Sequence, residues 1–179
     1  KRQVNERSVA CQEKRLHRLT LARYNLCMMI LHRRPVVAGM FYPGSANGLS
    51  QELTRLCDKP RVSTALVSSM GLIAPHAGYV YSGGVAGEGY NELAARGIPE
   101  WAIILGSNHT GMGQPVSIAT DGAWETPLGT SQIATETARR LVDAGARVAP
   151  EAFTREHSIE VQLPFLQHLF GLGVPFVPI

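Results

Sequence analysis

The feature that most restricts how this chain can fold is a set of four short apolar runs, each closed by glycine or proline and separated by stretches of helical spacing. The runs cover residues 71–74, 102–105, 116–119 and 175–177. Strands that alternate with helices build a parallel sheet, and the first two runs are apolar throughout, as strands covered on both faces must be. Between the runs, helices are expected over 50–57 after an Asn-Gly turn, then over 85–96, 131–144 and 158–169, with Leu49, Leu53 and Leu56 on one buried face of the first. Ser131 or Thr130 is the expected N-cap of the third helix, and Pro164 is expected to bend or shorten the last. The reading is therefore α/β, with a central, mostly parallel sheet and helices on both faces. Pro178-Ile179 follows directly on an apolar run with no polar tail, so a fold truncated at its C-terminus is expected.

Length and charge narrow the function. With 179 residues, 45% of them hydrophobic and 17% charged, the chain can bury one sizeable core. The net charge of +3 is unevenly spread: residues 1–34 carry nine Lys/Arg against two Glu, whereas residues 35–179 carry eight basic and twelve acidic side chains. Residues 1–33 thus read as a basic N-terminal extension, and 34–179 as the N-terminal part of one α/β domain. The acidic body has no field suited to a nucleic acid. Arg23 interrupts the apolar stretch from Leu19 to Leu31, far short of the roughly 20 residues a membrane helix needs, so no membrane partner is expected. Cys11, Cys27 and Cys57 are odd in number and lack zinc-type spacing, which fits a reducing cytoplasm.

In such sheets ligands sit at the carboxyl ends of the strands. Residues 71–74 lead into Pro75-His76-Ala77-Gly78-Tyr79, and residues 102–105 into Gly106-Ser107-Asn108-His109-Thr110. Glu156-His157-Ser158-Ile159-Glu160 opens the last helix, with His157 and Glu160 three residues apart on one face. Imidazoles with carboxylates nearby suit a divalent first-row metal, iron, copper or zinc, where calcium or magnesium would ask for oxygen ligands. The glycines after His76 (Gly78, Gly83, Gly84, Gly87, Gly89) permit a tight turn against a ligand. They lack the Gly-Lys-Ser/Thr end of a phosphate loop and the spacing of a dinucleotide fingerprint. Glu125 or Trp124 could line the same cleft, as a carboxylate or a stacking wall, and Tyr79 and Tyr81 could orient a substrate; each could equally serve the core.

Five motifs in order, V-A-G-M-F-Y-P (37–43), P-H-A-G-Y-V-Y-S-G (75–83), L-G-S-N-H-T (105–110), W-E-T-P-L-G (124–129) and E-H-S-I-E-V-Q-L-P-F-L (156–166), resemble the Memo family. The resemblance covers the chain from about Arg34 onward. It implies a fold similar to the class III extradiol dioxygenases of the LigB group and an iron or copper site. His76 and His109 match the family's ligand histidines, and His157 is expected beside them, handling protons rather than ligating. The family's S-S-D-x-x-H element and C-terminal cysteine have no counterpart before Ile179. Either they complete the shell beyond this chain or the site binds metal weakly.

Within that family the chain resembles protein B of the AmmeMemoRadiSam system, which implies an AMMECR-type protein and a radical-SAM enzyme as partners. Two functions follow. One is a metal-dependent oxidoreductase acting on a small organic substrate, with His157, Glu125 and Glu160 as acid/base and orienting groups. The other is a non-catalytic module that recognises a protein or peptide in a vestigial dioxygenase-like cleft. A zinc hydrolase is weaker, for want of any nucleophile motif.

Overall fold

A computed structural model of the chain describes residues 32–57, 65 and 69–179. Residues 1–31, with Cys11, Cys27 and nearly all of the expected basic extension, lie outside the described residues. The elements run β1 (His32–Arg33), α1 (Ala46–Leu56), α2 (Tyr79–Arg96), β2 (Ala102–Ile104), β3 (Ser117–Ile118), β4 (Ala123–Thr126), β5 (Gly129–Gln132), α3 (Thr135–Asp143), β6 (Arg147–Val148), α4 (Leu163–Phe170) and β7 (Phe176–Pro178). Short 3-10 turns at Pro150–Phe153 and Glu160–Gln162 complete the described chain. No helix among the described residues is long and apolar enough to cross a membrane.

The protein is α/β, and its strand pairing is mostly parallel. β1 pairs with β4, β2 with β7 and β3 with β6, all parallel, while β4 and β5 form an antiparallel hairpin. Among the described residues these pairings fall into three separate ladders rather than one continuous sheet. A single bridge, Ile133 to Phe176, links the hairpin to β7. β1 brings Arg33 into the domain, just ahead of the boundary expected at residue 34.

Three differences from the sequence reading have local causes. Residues 71–74 form no strand: among the described residues β2 pairs with β7 alone, and residues 71–74 lie instead against the helix α2, with the Leu72 side chain at Gly89. The glycines after His76 are not in a turn; all but Gly78 lie inside α2. A Cβ at Gly87 would come within 2.2 Å of the Leu56 carbonyl oxygen, so glycine there lets α1 and α2 touch backbone to backbone. Residues 129–132 are β5 rather than the start of a helix, because Pro127-Leu128 turns the chain back along β4. The Thr126 hydroxyl accepts from Leu128 N (3.1 Å), and Gly129 takes φ +137°, open only to glycine.

Elsewhere the expected signals operate. Ser45 caps α1 through Gly48 N (3.2 Å), starting that helix earlier than expected, and Leu49, Leu53 and Leu56 are buried. Pro164 lies in the first turn of α4, where its missing N–H costs nothing, so it begins the helix rather than bending it. The core is aromatic at its centre: Phe165 stacks on Tyr90 at 4.9 Å, and Trp124 meets Phe176 edge-on at 5.4 Å.

Candidate metal centre

The site is organised by one stretch, residues 156–162, in which nearly every residue ties down a different segment. Ser158 Oγ donates to Ser107 O (2.9 Å). Ile159 fills the space where a Cβ at Gly106 would otherwise sit. Val161 O accepts from the Tyr79 hydroxyl (2.8 Å). Gln162 accepts from the Tyr90 hydroxyl (3.0 Å) and donates to Pro75 O (3.0 Å), fixing the residue before His76.

Glu160 has no exposed surface. Its carboxylate accepts from Val36 N (3.0 Å), Val37 N (3.0 Å) and the Tyr42 hydroxyl (2.8 Å). Arg33 Nη1 lies 2.8 Å from Glu160 Oε2 without a hydrogen-bonding angle, so that contact is Coulombic. The guanidinium is anchored instead by Nε on Phe153 O (2.7 Å) and Nη2 on Glu156 O (2.5 Å), and it lies 4.2 Å over the Trp124 ring. Burial first, then the Glu160 charge and hydrogen bond, push the Tyr42 phenol well above its ordinary range, while Arg33 pulls it down. This cluster draws together the loop that carries Met40 and Phe41 to the cleft.

There the three imidazoles meet. The His109 and His157 rings stack at 4.7 Å, His76 lies 5.2 Å from His109 and 6.2 Å from His157, and Phe41 meets His157 edge-on at 4.7 Å. An opening of about 440 Å³ is lined by the three histidines with Met40, Phe41, Ala77, Gly78 and Tyr81. His109, Glu156 and His157 present ligand atoms within 4.8 Å of one another and could hold a metal ion.

Glu156 is buried behind the rings and accepts four hydrogen bonds. They come from His109 Nδ1 (2.9 Å), His109 N (2.6 Å), His157 N (2.8 Å) and Ser158 N (3.0 Å). Burial alone would raise its carboxyl, but the bonds from the His109 ring and from Ser158, His109 and His157 N–H outweigh it and bring the pKa to about 2. Burial depresses His157; the Glu156 charge opposes this, while the neighbouring His109 and His76 add to it. A depressed imidazole is neutral near pH 7 and keeps a nitrogen lone pair.

The other expected site residues are not all here. Tyr79 is buried with its hydroxyl on Val161 O, and Trp124 is core under Arg33; neither lines the opening. Glu160 is a buried structural carboxylate, away from the opening. Glu125 sits on β4, also outside the lining residues. Tyr81 does line it, with His76, His109 and His157. Glu156 was not singled out from the sequence, although its position directly before His157 was the available signal.

A parallel-stranded α/β framework that gathers imidazoles around a buried, charged carboxylate defines a protein able to hold a metal ion at one cleft. The chain belongs to the Memo-like protein family, whose model matches residues 33–179. It is 44% identical over 162 residues to a MEMO1 family protein of Thermotoga maritima, a match covering 83% of this chain and 57% of that protein. MEMO1 family proteins of Methanopyrus kandleri (43% over 159 residues, 83% of this chain and 56% of theirs) and Desulfurococcus amylolyticus (41% over 157 residues, 82% and 56%) match similarly. The chain thus spans little more than half the length of these relatives.

Proposed function

We propose that His76, His109 and His157 hold a redox-active divalent metal, iron or copper, in an oxidoreductase whose cleft resembles that of the extradiol dioxygenases. The observation that carries this is the Glu156–His109 hydrogen bond. A carboxylate on Nδ1 fixes the tautomer, leaves Nε2 with its lone pair and raises its basicity, the arrangement that metal-bound histidines use. Glu156, with four donors already on it, orients the imidazoles rather than ligating. His157, neutral near pH 7, serves here as a nitrogen donor in place of the proton-handling role expected from sequence. Three nitrogen donors fit a first-row metal and not calcium or magnesium. Such a metal would supply Lewis acidity and one-electron chemistry, while Tyr81, Met40 and Phe41 receive the apolar part of an organic substrate.

The test is elemental analysis of protein purified without oxygen, beside the His76→Ala/His109→Ala variant. Stoichiometric iron or copper, lost in the variant, is expected; metal retained by the variant would refute the ligand set, and zinc alone would refute the redox part. One observation supports a second reading as a peptide-binding module: Met40 and Tyr81 at the mouth are 74% and 87% exposed. Peptide capture that survives the double histidine variant would favour that reading. For the whole protein, partnership with an AMMECR-type protein and a radical-SAM enzyme is part of the proposal, and co-purification of the three tests it.

A further inference from the structure

His76 and His109 are brought to the cleft by different means. The His109 ring is held from behind by Glu156, which accepts from its Nδ1 (2.9 Å). The His76 ring makes no hydrogen bond among the described residues, yet its centroid lies 5.2 Å from that of His109. An imidazole without a bond of its own goes where its backbone puts it. From residue 71 to Pro75, one hydrogen bond ties that backbone to another described residue: Gln162 Nε2 donates to Pro75 O (3.0 Å). Downstream the start of α2 holds the chain, with Tyr79 N donating to Phe41 O (2.7 Å) and Tyr81 N to Gly78 O (2.8 Å).

Gln162 is itself held so that it must donate to Pro75. It is buried, and its Oε1 accepts from the Tyr90 hydroxyl (3.0 Å). Turning the amide over would set Oε1 against the Pro75 carbonyl, two acceptors with no proton between them. The Tyr90 ring in turn lies flat on Phe165, with centroids 4.9 Å apart and planes within 2°. Burial holds its phenol above the ordinary range, so it stays a donor. Glu156 and Gln162 stand at the two ends of the stretch 156–162, so a single segment governs both histidines, one through its ring and the other through its backbone.

We infer that Gln162, oriented by Tyr90, is a positioning residue for His76: it sets the distance of that ring from His109 although it does not itself line the opening. The ring spacing is a property of the chain alone. Its consequence for metal affinity rests on the metal reading above.

The test is Gln162→Met, which keeps the length of the side chain and removes both donor and acceptor. In the metal-free protein, the nuclear Overhauser effect between the His76 and His109 rings is expected to be lost. The effect between His109 and His157, whose rings stack at 4.7 Å in front of Glu156, is expected to persist. Both effects retained overturn the inference, and so does loss of both, which a general loosening of the core produces. Affinity for cobalt(II), measured by competition with a chelator, is expected to fall ~10-fold or more, and that loss to vanish in a His76→Ala background. An equal loss without His76 also overturns the inference. A wild-type chain that takes up no cobalt(II) refutes the metal reading instead, and the Overhauser effects then decide the inference alone. Gln162→Ala, read in the same way, serves if the Met variant does not fold.

Discussion

Glu160 offers the sharpest test of how this fold is held together. Replacing it with Gln keeps the shape but removes the charge facing Arg33, and turns one acceptor oxygen into a donor against Val36 N, Val37 N or the Tyr42 hydroxyl. Breaking one half of a buried ion pair costs about 3–5 kcal/mol, and a donor left without an acceptor about 1–3 more, with overlap between the two. Against a total stability of about 5–15 kcal/mol, a loss of about 4 kcal/mol is large. Arg33→Met should cost nearly as much, by stranding the carboxylate and emptying the face of Trp124. The double variant should lose at least ~2 kcal/mol less than the sum of the singles, since the stranded partner has gone. Urea unfolding with unchanged m-values is the assay. A Glu160→Gln cost below ~1 kcal/mol, or simple additivity with Arg33→Met, would refute the reasoning.

Other expectations follow from the same geometry. Glu156 ionises at about 2 in the fold against an ordinary 4.5, so its contribution is fully present above pH 4.5 and is lost as the pH falls towards 2; in acid titrations monitored by circular dichroism, Glu156→Gln should flatten that slope. The same variant should weaken metal binding by ~10–100-fold, measured by competition with a chelator, because the His109 tautomer is no longer fixed. Tyr79→Phe should cost about 1 kcal/mol by removing the bond to Val161 O and leave metal content unchanged; loss of metal would restore Tyr79 to the site. Gly87→Ala should destabilise by at least ~2 kcal/mol through its clash with the Leu56 carbonyl, whereas Gly84→Ala, with open space around it, should stabilise by about 1 kcal/mol, both read from thermal unfolding.

The convergence of His76, His109 and His157 was legible because each follows an apolar run or opens a turn, and local punctuation marks such places. Leu49, Leu53 and Leu56 were legible for the same reason: helical spacing is local. What the sequence hid depends on partners far along the chain. The carboxylates of Glu160 and Glu125 look alike in sequence, yet one is buried under Arg33 and the other stands on a hairpin. Tyr79 and Tyr81 differ by two positions on a helix, which sends one hydroxyl to Val161 O and leaves the other ring at the mouth of the cleft. The glycines of α2 read as a turn because their reason, the backbone of α1 pressed against Gly87, is a packing contact with no local signature.

The cluster around Glu160 also bears on the order in which the molecule forms. Arg33 meets Phe153, Glu156 and Glu160 across sequence separations of 120 residues and more, and β1 pairs with a strand some ninety residues downstream. Arg33 leaves the ribosome at least 120 residues before these partners, so β1 must wait, unpaired, while the intervening chain is made. Such distant closures slow folding and fall late in it. Because the same contacts draw Phe41 onto His157, the cleft is assembled only when this long loop closes, and refolding followed at the Phe41–His157 contact should lag behind the appearance of helix.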